Sequence, residues 1–113
     1  MATTSRVVWT TLAQQDLLHI LSYVADDSPR NAQRLLLRFE DLATKLSHSA
    51  MRGRVVPELG SLGVNAFREL LSKPYRLIYR VDDETSLVAV VALLDGRRAL
   101  DDLLFERLVR PEA

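Results

Sequence analysis

Hydrophobic residues recur along this chain with two different periods, and the change from one to the other divides it. Between residues 11 and 48 the period is helical. Ala13, Leu17, Ile20, Leu21 and Val24 share one face of a first helix, and Ala32, Leu35, Leu36, Phe39, Leu42, Ala43 and Leu46 share one face of a second. Thr10 or Thr11 is the expected cap of the first helix, Thr11 and Gln14 having the spacing of a capping box. Asp26-Asp27 closes that helix. Ser28-Pro29 then restarts the chain as N-cap and first helical residue, where proline forfeits no hydrogen bond. The polar face of the second helix carries Arg34, Arg38, Asp41 and Lys45, the last two spaced for an i,i+4 ion pair. Two helices with so short a connection are expected to form an antiparallel hairpin.

Elsewhere the period is two, or the run is apolar throughout. Arg6-Val7-Val8-Trp9 reads as an opening strand. Gly53, Pro57, Gly60 and Gly63 mark a loop that resists helix. Three strand-like segments follow at 66–71, 75–81 and 86–94, with Lys73-Pro74 and Asp82-Asp83-Glu84 at the turns. In the middle one, Tyr75, Leu77, Tyr79 and Val81 face one way and Arg76, Ile78 and Arg80 the other. That alternation predicts a sheet with one side open to water or to a partner. The last strand is apolar on both faces and belongs inside the sheet. Asp95-Gly96 ends it. Leu100, Leu104 and Leu108 then imply a short closing helix, with Asp101 and Asp102 near its positive end. The expected architecture is a single α+β domain over residues 1–113. It comprises an N-terminal strand, an α-helical hairpin, a three-stranded antiparallel meander and a short C-terminal helix.

Composition narrows the chemistry. With 113 residues, 48% of them hydrophobic, the chain has enough apolar surface for one core without crosslinks. It has no cysteine, which excludes disulfides, thiolate nucleophiles and cysteine-based zinc sites. His19 and His48 are isolated, so neither a metal nor another cofactor is expected. The start is polar, and the longest apolar run, residues 87–94, is far shorter than the ~18–20 residues that span a bilayer. A soluble, cytoplasmic protein without membrane contact is expected.

Fifteen basic and fifteen acidic residues cancel, but unevenly along the chain. Residues 49–81 hold six basic and two acidic side chains; residues 82–113 hold four basic and eight acidic. The whole chain therefore has no electrostatic pull toward nucleic acid, and direct sequence-specific nucleic-acid binding is not expected. A basic surface, if formed, is local and comes from the middle third with Arg97 and Arg98.

Four stretches, in this order on these elements, resemble the RelE/ParE superfamily of type II toxins. They are Trp9-Thr10-Thr11-Leu12-Ala13-Gln14-Gln15-Asp16-Leu17, Arg54-Val55-Val56-Pro57-Glu58-Leu59-Gly60, Phe67-Arg68-Glu69-Leu70 with Pro74-Tyr75-Arg76-Leu77-Ile78-Tyr79-Arg80-Val81, and Gly96-Arg97-Arg98. The resemblance runs from about Val7 to Leu108. It implies the toxin half of a toxin–antitoxin pair, a growth inhibitor of the plasmid-stabilisation kind. RelE-like members cut messenger RNA in the ribosome, which calls for clustered cations and a side chain able to move protons. ParE-like members poison DNA gyrase, which calls for a binding surface.

Arg68, Arg76, Arg80, Arg97 and Arg98 can supply the cations. The proton-transfer part is lacking: after Arg98 there is neither tyrosine nor histidine, and Asp95 stands where many relatives place histidine before Gly-Arg-Arg. The resemblance in the meander, Tyr75 to Val81, also leans to the ParE branch. The sequence therefore favours gyrase poisoning with no catalytic residue, and the five arginines are the candidate target-binding set. A ribosome-dependent messenger RNA endoribonuclease using Arg68, Arg76 and Arg97 is the alternative. Tyr75 and Tyr79 share an apolar face and belong to the core. Arg68-Glu69 also reads as a cross-strand ion pair, worth little if exposed. Leu18 and Leu37 fall off the core stripes of their helices. With Tyr23 they are the candidate contacts for a ParD-like antitoxin, whose tail the resemblance places across the helical hairpin and the sheet.

Overall fold

The computed structural model describes residues 4–96 and Arg107. Strand β1 (Arg6–Trp9) leads into helix α1 (Thr11–Asp27), and α2 (Pro29–His48) follows after a single residue. Thr10 caps α1, its hydroxyl accepting from the Ala13 N–H at 3.2 Å. This corrects the capping box expected at Thr11. With the cap at Thr10, Gln14 lies one position too far along, and its side-chain amide donates instead to the Trp9 carbonyl at 3.0 Å. Ser28 closes one helix and opens the next. Its N–H donates to the Val24 carbonyl, and its hydroxyl accepts from the Asn31 N–H. The expected Asp41–Lys45 pair forms at 3.1 Å.

β3 (Phe67–Ser72), β4 (Tyr75–Asp82) and β5 (Leu87–Asp95) make the antiparallel meander. Strand β1 adds to the outer side of β5 in parallel, and β2 (Arg54–Val55) adds antiparallel to β3, so the order is β1-β5-β4-β3-β2. The helical hairpin lies on one face. There Ala13, Leu35, Phe39 and Leu46 pack on Leu77, Tyr79, Val88, Val90 and Leu93. Tyr75 meets Phe39 edge-on, ring centres 5.5 Å apart. Both tyrosines of the meander therefore serve the core, Tyr79 being wholly buried.

The doubly apolar β5 has a specific cause. Ile78 pairs with Ala92 but Tyr79 pairs with Val90, so Val91 is an extra residue facing no partner. A bulge of this kind reverses the inside–outside alternation beyond it. Val88 and Val90 before it, and Leu93 after it, point toward the helices, while Ala92 and Leu94 join the opposite face.

That opposite face is not open at its centre, contrary to the expectation of a wet side. The stretch read as an irregular loop contains β2 and a one-turn helix, α3 (Pro57–Gly60). Pro57 occupies a first-turn position where its missing N–H is not needed. Val56 and Leu59, three residues apart, turn inward onto Ile78, Ala92 and Leu94 as a second small core. Gly63, at φ 81°, reverses the chain after α3. The closing helix expected around Leu100, Leu104 and Leu108 lies outside the described residues.

Candidate functional site

The arginines singled out from sequence go to different places. Arg97 and Arg98 lie outside the described residues, but the point at which the chain leaves for them is defined. The Gly96 N–H donates to the Pro74 carbonyl at 2.6 Å. Gly96 also shares a cleft of about 390 Å³ with Arg54, Lys73 and Arg76, floored by Leu71, Pro74 and Tyr75. A side chain at position 96 would press on the Pro74 carbonyl and on the Arg76 stem, which is why glycine suits this corner.

Arg76 projects from β4 toward α3 and is almost completely enclosed. Both of its Nη atoms donate to the Glu58 carboxylate, at 2.6 and 2.7 Å, and its Nε donates to Glu69 at 2.6 Å. The side chain of Glu69 is fully buried, and its second oxygen accepts from Arg54 Nε at 2.7 Å. A buried carboxylate is tolerable only when its oxygens are satisfied in this way. Two arginines and two glutamates thus form a neutral network. The hydrogen bonds from Arg76 hold the Glu58 carboxyl down to about 2, and Glu58 in turn raises the Arg76 guanidinium above its ordinary value.

Arg68 faces the helix side of β3. It donates to the Gly53 carbonyl at 2.7 Å, beside the Tyr79 hydroxyl, which accepts from the Gly53 N–H at 2.9 Å. Burial pushes the Tyr79 hydroxyl up, so it stays protonated. The Arg68–Glu69 pairing read as possible from sequence does not form. Adjacent residues on a strand point to opposite faces, and Glu69 finds Arg54 and Arg76 instead.

Arg80 is exposed. It lies in one cross-sheet row with Val8, Ala89 and Phe67 on the face away from the hairpin. No carboxylate pairs with it among the described residues. Of the arginines expected to touch a target, Arg80 is therefore available, whereas Arg76 and Arg68 are engaged inside the fold.

On the hairpin, Leu18, Leu37 and Tyr23 are 64%, 59% and 80% exposed. A shallow, mainly apolar groove of about 360 Å³ lies between Trp9, Gln14 and Leu17 on one side and Leu36, Glu40 and Ala43 on the other. Tyr23 instead lines a separate cleft at the turn between the helices, with Asp26, Ser28 and Asn31. Among the described residues no helix is long and apolar enough to cross a membrane, and no group of three metal-binding side chains converges.

This chain, a two-helix hairpin on one face of a mostly antiparallel sheet with its first strand added in parallel, is similar to known toxins of type II toxin–antitoxin systems. Residues 7–100 match the family model described as the ParE toxin of the type II toxin–antitoxin system parDE, and the chain belongs to that family. It is 36% identical over 95 residues to Toxin RelE2 of Caulobacter vibrioides, a match spanning 83% of this chain and 98% of that protein. Two solved structures share the fold. One is the toxin–antitoxin complex RelBE2 from Mycobacterium tuberculosis, with a TM-score of 0.59 and 23% identity over 82% of this chain and 92% of that one. The other is the chromosomal ParDE system from P. aeruginosa, with a TM-score of 0.63 and 22% identity over 80% and 94%.

Proposed function

We propose that this chain is a ParE-like toxin that binds DNA gyrase, stabilises its cleaved DNA complex and so blocks replication. In the same reading it acts in the cytoplasm and is held inactive by a ParD-like antitoxin. The observation that carries the choice of target is the state of Arg76. Ribonuclease chemistry needs cations free to meet a phosphate in the transition state. Here the Arg76 fork is already filled by Glu58 and Glu69, and Arg68 is committed to the Gly53 carbonyl. An RNA phosphate would have to displace the Glu58 carboxylate and the buried Glu69 carboxylate from Arg76. Binding of a protein target asks only for an accessible surface, which Arg80 and the segment bearing Arg97 and Arg98 are proposed to supply.

The antitoxin reading is supported by the three exposed apolar side chains on the hairpin and by the complexes in which the two similar structures were solved. Leu18 and Tyr23, five residues apart on α1, stand on different flanks of that helix, so an amphipathic antitoxin segment would have to wrap the hairpin to cover them together with Leu37.

The deciding experiment is a gyrase supercoiling assay with purified toxin, with and without its antitoxin. Inhibition with accumulation of cleaved DNA, reversed by antitoxin, is expected. Unimpaired supercoiling at excess toxin, together with transcripts cut at the ribosomal A site after induction, would replace this reading with the RelE-like endoribonuclease.

A further inference from the structure

Strand β5 outlasts its parallel neighbour. β1 ends at Trp9, opposite Val90, and the Thr10 N–H makes the last strand-like bond there, to the Val90 carbonyl at 3.0 Å. Beyond that point β5, bulged at Val91, has no strand beside it on this side among the described residues. Two side chains from distant parts of the sequence meet its backbone there instead. Asp16, in the second turn of α1, accepts from the Leu93 N–H at 3.0 Å. Arg107 donates to the Val91 carbonyl at 3.2 Å and closes a two-pronged ion pair with Asp16, at 2.9 and 3.2 Å. The two side chains are only 14% and 15% exposed. One guanidinium thus ties the chain end to both the first helix and the central strand.

We propose that Asp16 and Arg107 form a clamp that fixes where the chain returns to the sheet after β5, and that they are positioning residues for toxicity. In sequence Arg97 and Arg98 fall between two anchors, Gly96 on the Pro74 carbonyl and Arg107 on the bulge. A segment held at both ends has less freedom left to lose on binding than one held at a single end, so a target gains affinity from the clamp without touching it. The chemistry requires arginine. Three acceptors (both Asp16 oxygens and the Val91 carbonyl) are met by one planar fork, which the single ammonium of lysine does not reproduce. This inference rests on the reading of residues 97–106 as target-contacting, but not on the target being gyrase.

The test compares Arg107→Ala, Arg107→Lys, Asp16→Asn and the Asp16→Asn/Arg107→Ala pair with the parent chain. Two readouts are used: amide hydrogen exchange of the purified toxins, and growth arrest on induction, normalised to folded toxin by circular dichroism. Arg107→Ala and Asp16→Asn are expected to accelerate exchange across residues 97–106 while the hairpin keeps its protection, and to raise the toxin dose for arrest by about tenfold. Lysine at 107 should rescue little, and the double variant should be no weaker than the stronger single one, as for groups acting as a unit. Unchanged exchange in Arg107→Ala would overturn the clamp. Faster exchange with undiminished arrest would overturn its positioning role. Growth arrest by the parent without any effect on supercoiling would remove gyrase as the target and leave the clamp to be judged by the same two readouts.

Discussion

Glu58 and Arg76 meet as a two-pronged ion pair, carboxylate to guanidinium at 2.6 and 2.7 Å, and through it the one-turn helix α3 is fastened to the middle of the sheet. The pair gives stability a defined pH dependence. The hydrogen bonds from Arg76 hold the folded-state pKa of the Glu58 carboxyl down to about 2, against an ordinary value of 4.5. A depressed carboxyl contributes stability that is complete above its unfolded pKa and is lost as pH falls through the folded one, so the loss falls between about 4.5 and about 2. Because Glu58 keeps 27% of its side chain in contact with water, screening limits the effect to about 1–2 kcal/mol. Urea unfolding across this range should show the decline, and Glu58→Gln should flatten that part of it.

Arg76 itself matters more, because Glu69 depends on it. Arg76→Ala leaves the fully buried Glu69 with Arg54 as its remaining ionic partner, and Arg54 is itself 58% exposed. Removing one member of a buried pair costs about 3–5 kcal/mol, whereas replacing both by apolar groups of similar volume is far milder. Arg76→Met with Glu69→Leu should therefore be more stable than Arg76→Ala alone. Guanidinium unfolding of the three chains checks the order.

These relationships also show where reading the sequence succeeds and where it stops. The helical hairpin was legible because each helix carries its own apolar stripe and Ser28-Pro29 carries its own punctuation. The meander was legible because Tyr75 to Val81 alternates strictly. Nothing local announced that Arg76 would turn inward, since its partners Glu69 and Glu58 lie 7 and 18 positions away and are ordinary surface residues by composition. Helix α3 was missed because one turn has no period to detect; Val56 and Leu59 become a core pair only against Ile78, Ala92 and Leu94. The bulge at Val91 hid inside a run that is apolar in either register. The Asp16–Arg107 contact spans 91 positions and left no sequence signal beyond an aspartate in a helix.

Gly53 and Tyr79 form a second tight junction. A Cβ at position 53 would lie 2.5 Å from the Glu69 carbonyl oxygen and 2.6 Å from the Tyr79 hydroxyl, and neither can withdraw without breaking β3 or the core. Gly53→Ala should cost about 1–3 kcal/mol through overpacking. Tyr79→Phe removes the acceptor of the buried Gly53 N–H and should cost about 1–3 kcal/mol for a different reason, an unsatisfied donor. Thermal unfolding reports both. Combining them should relieve part of the clash, so their effects should sum to more than the double variant shows.

The proposed division of labour between two surfaces yields the sharpest contrast. Leu18 and Leu37 are exposed and off the core, so Leu18→Asp and Leu37→Asp should each change stability by no more than about 0.5 kcal/mol. If the hairpin holds the antitoxin, the same changes should weaken that complex by about tenfold or more each, read by calorimetric titration, because a charge is placed in an apolar contact. Toxicity without antitoxin should persist. Arg97→Ala with Arg98→Ala should behave in the opposite way, retaining antitoxin affinity while losing growth arrest and supercoiling inhibition. Arg80→Ala, on the sheet face away from the hairpin, belongs with the second group on this reading. Loss of antitoxin affinity from the arginine variants alone, with toxicity intact, would exchange the roles of the two surfaces. A chain whose antitoxin and target shared one surface would lose both properties together in every variant, since neutralisation would then be direct competition for the same side chains.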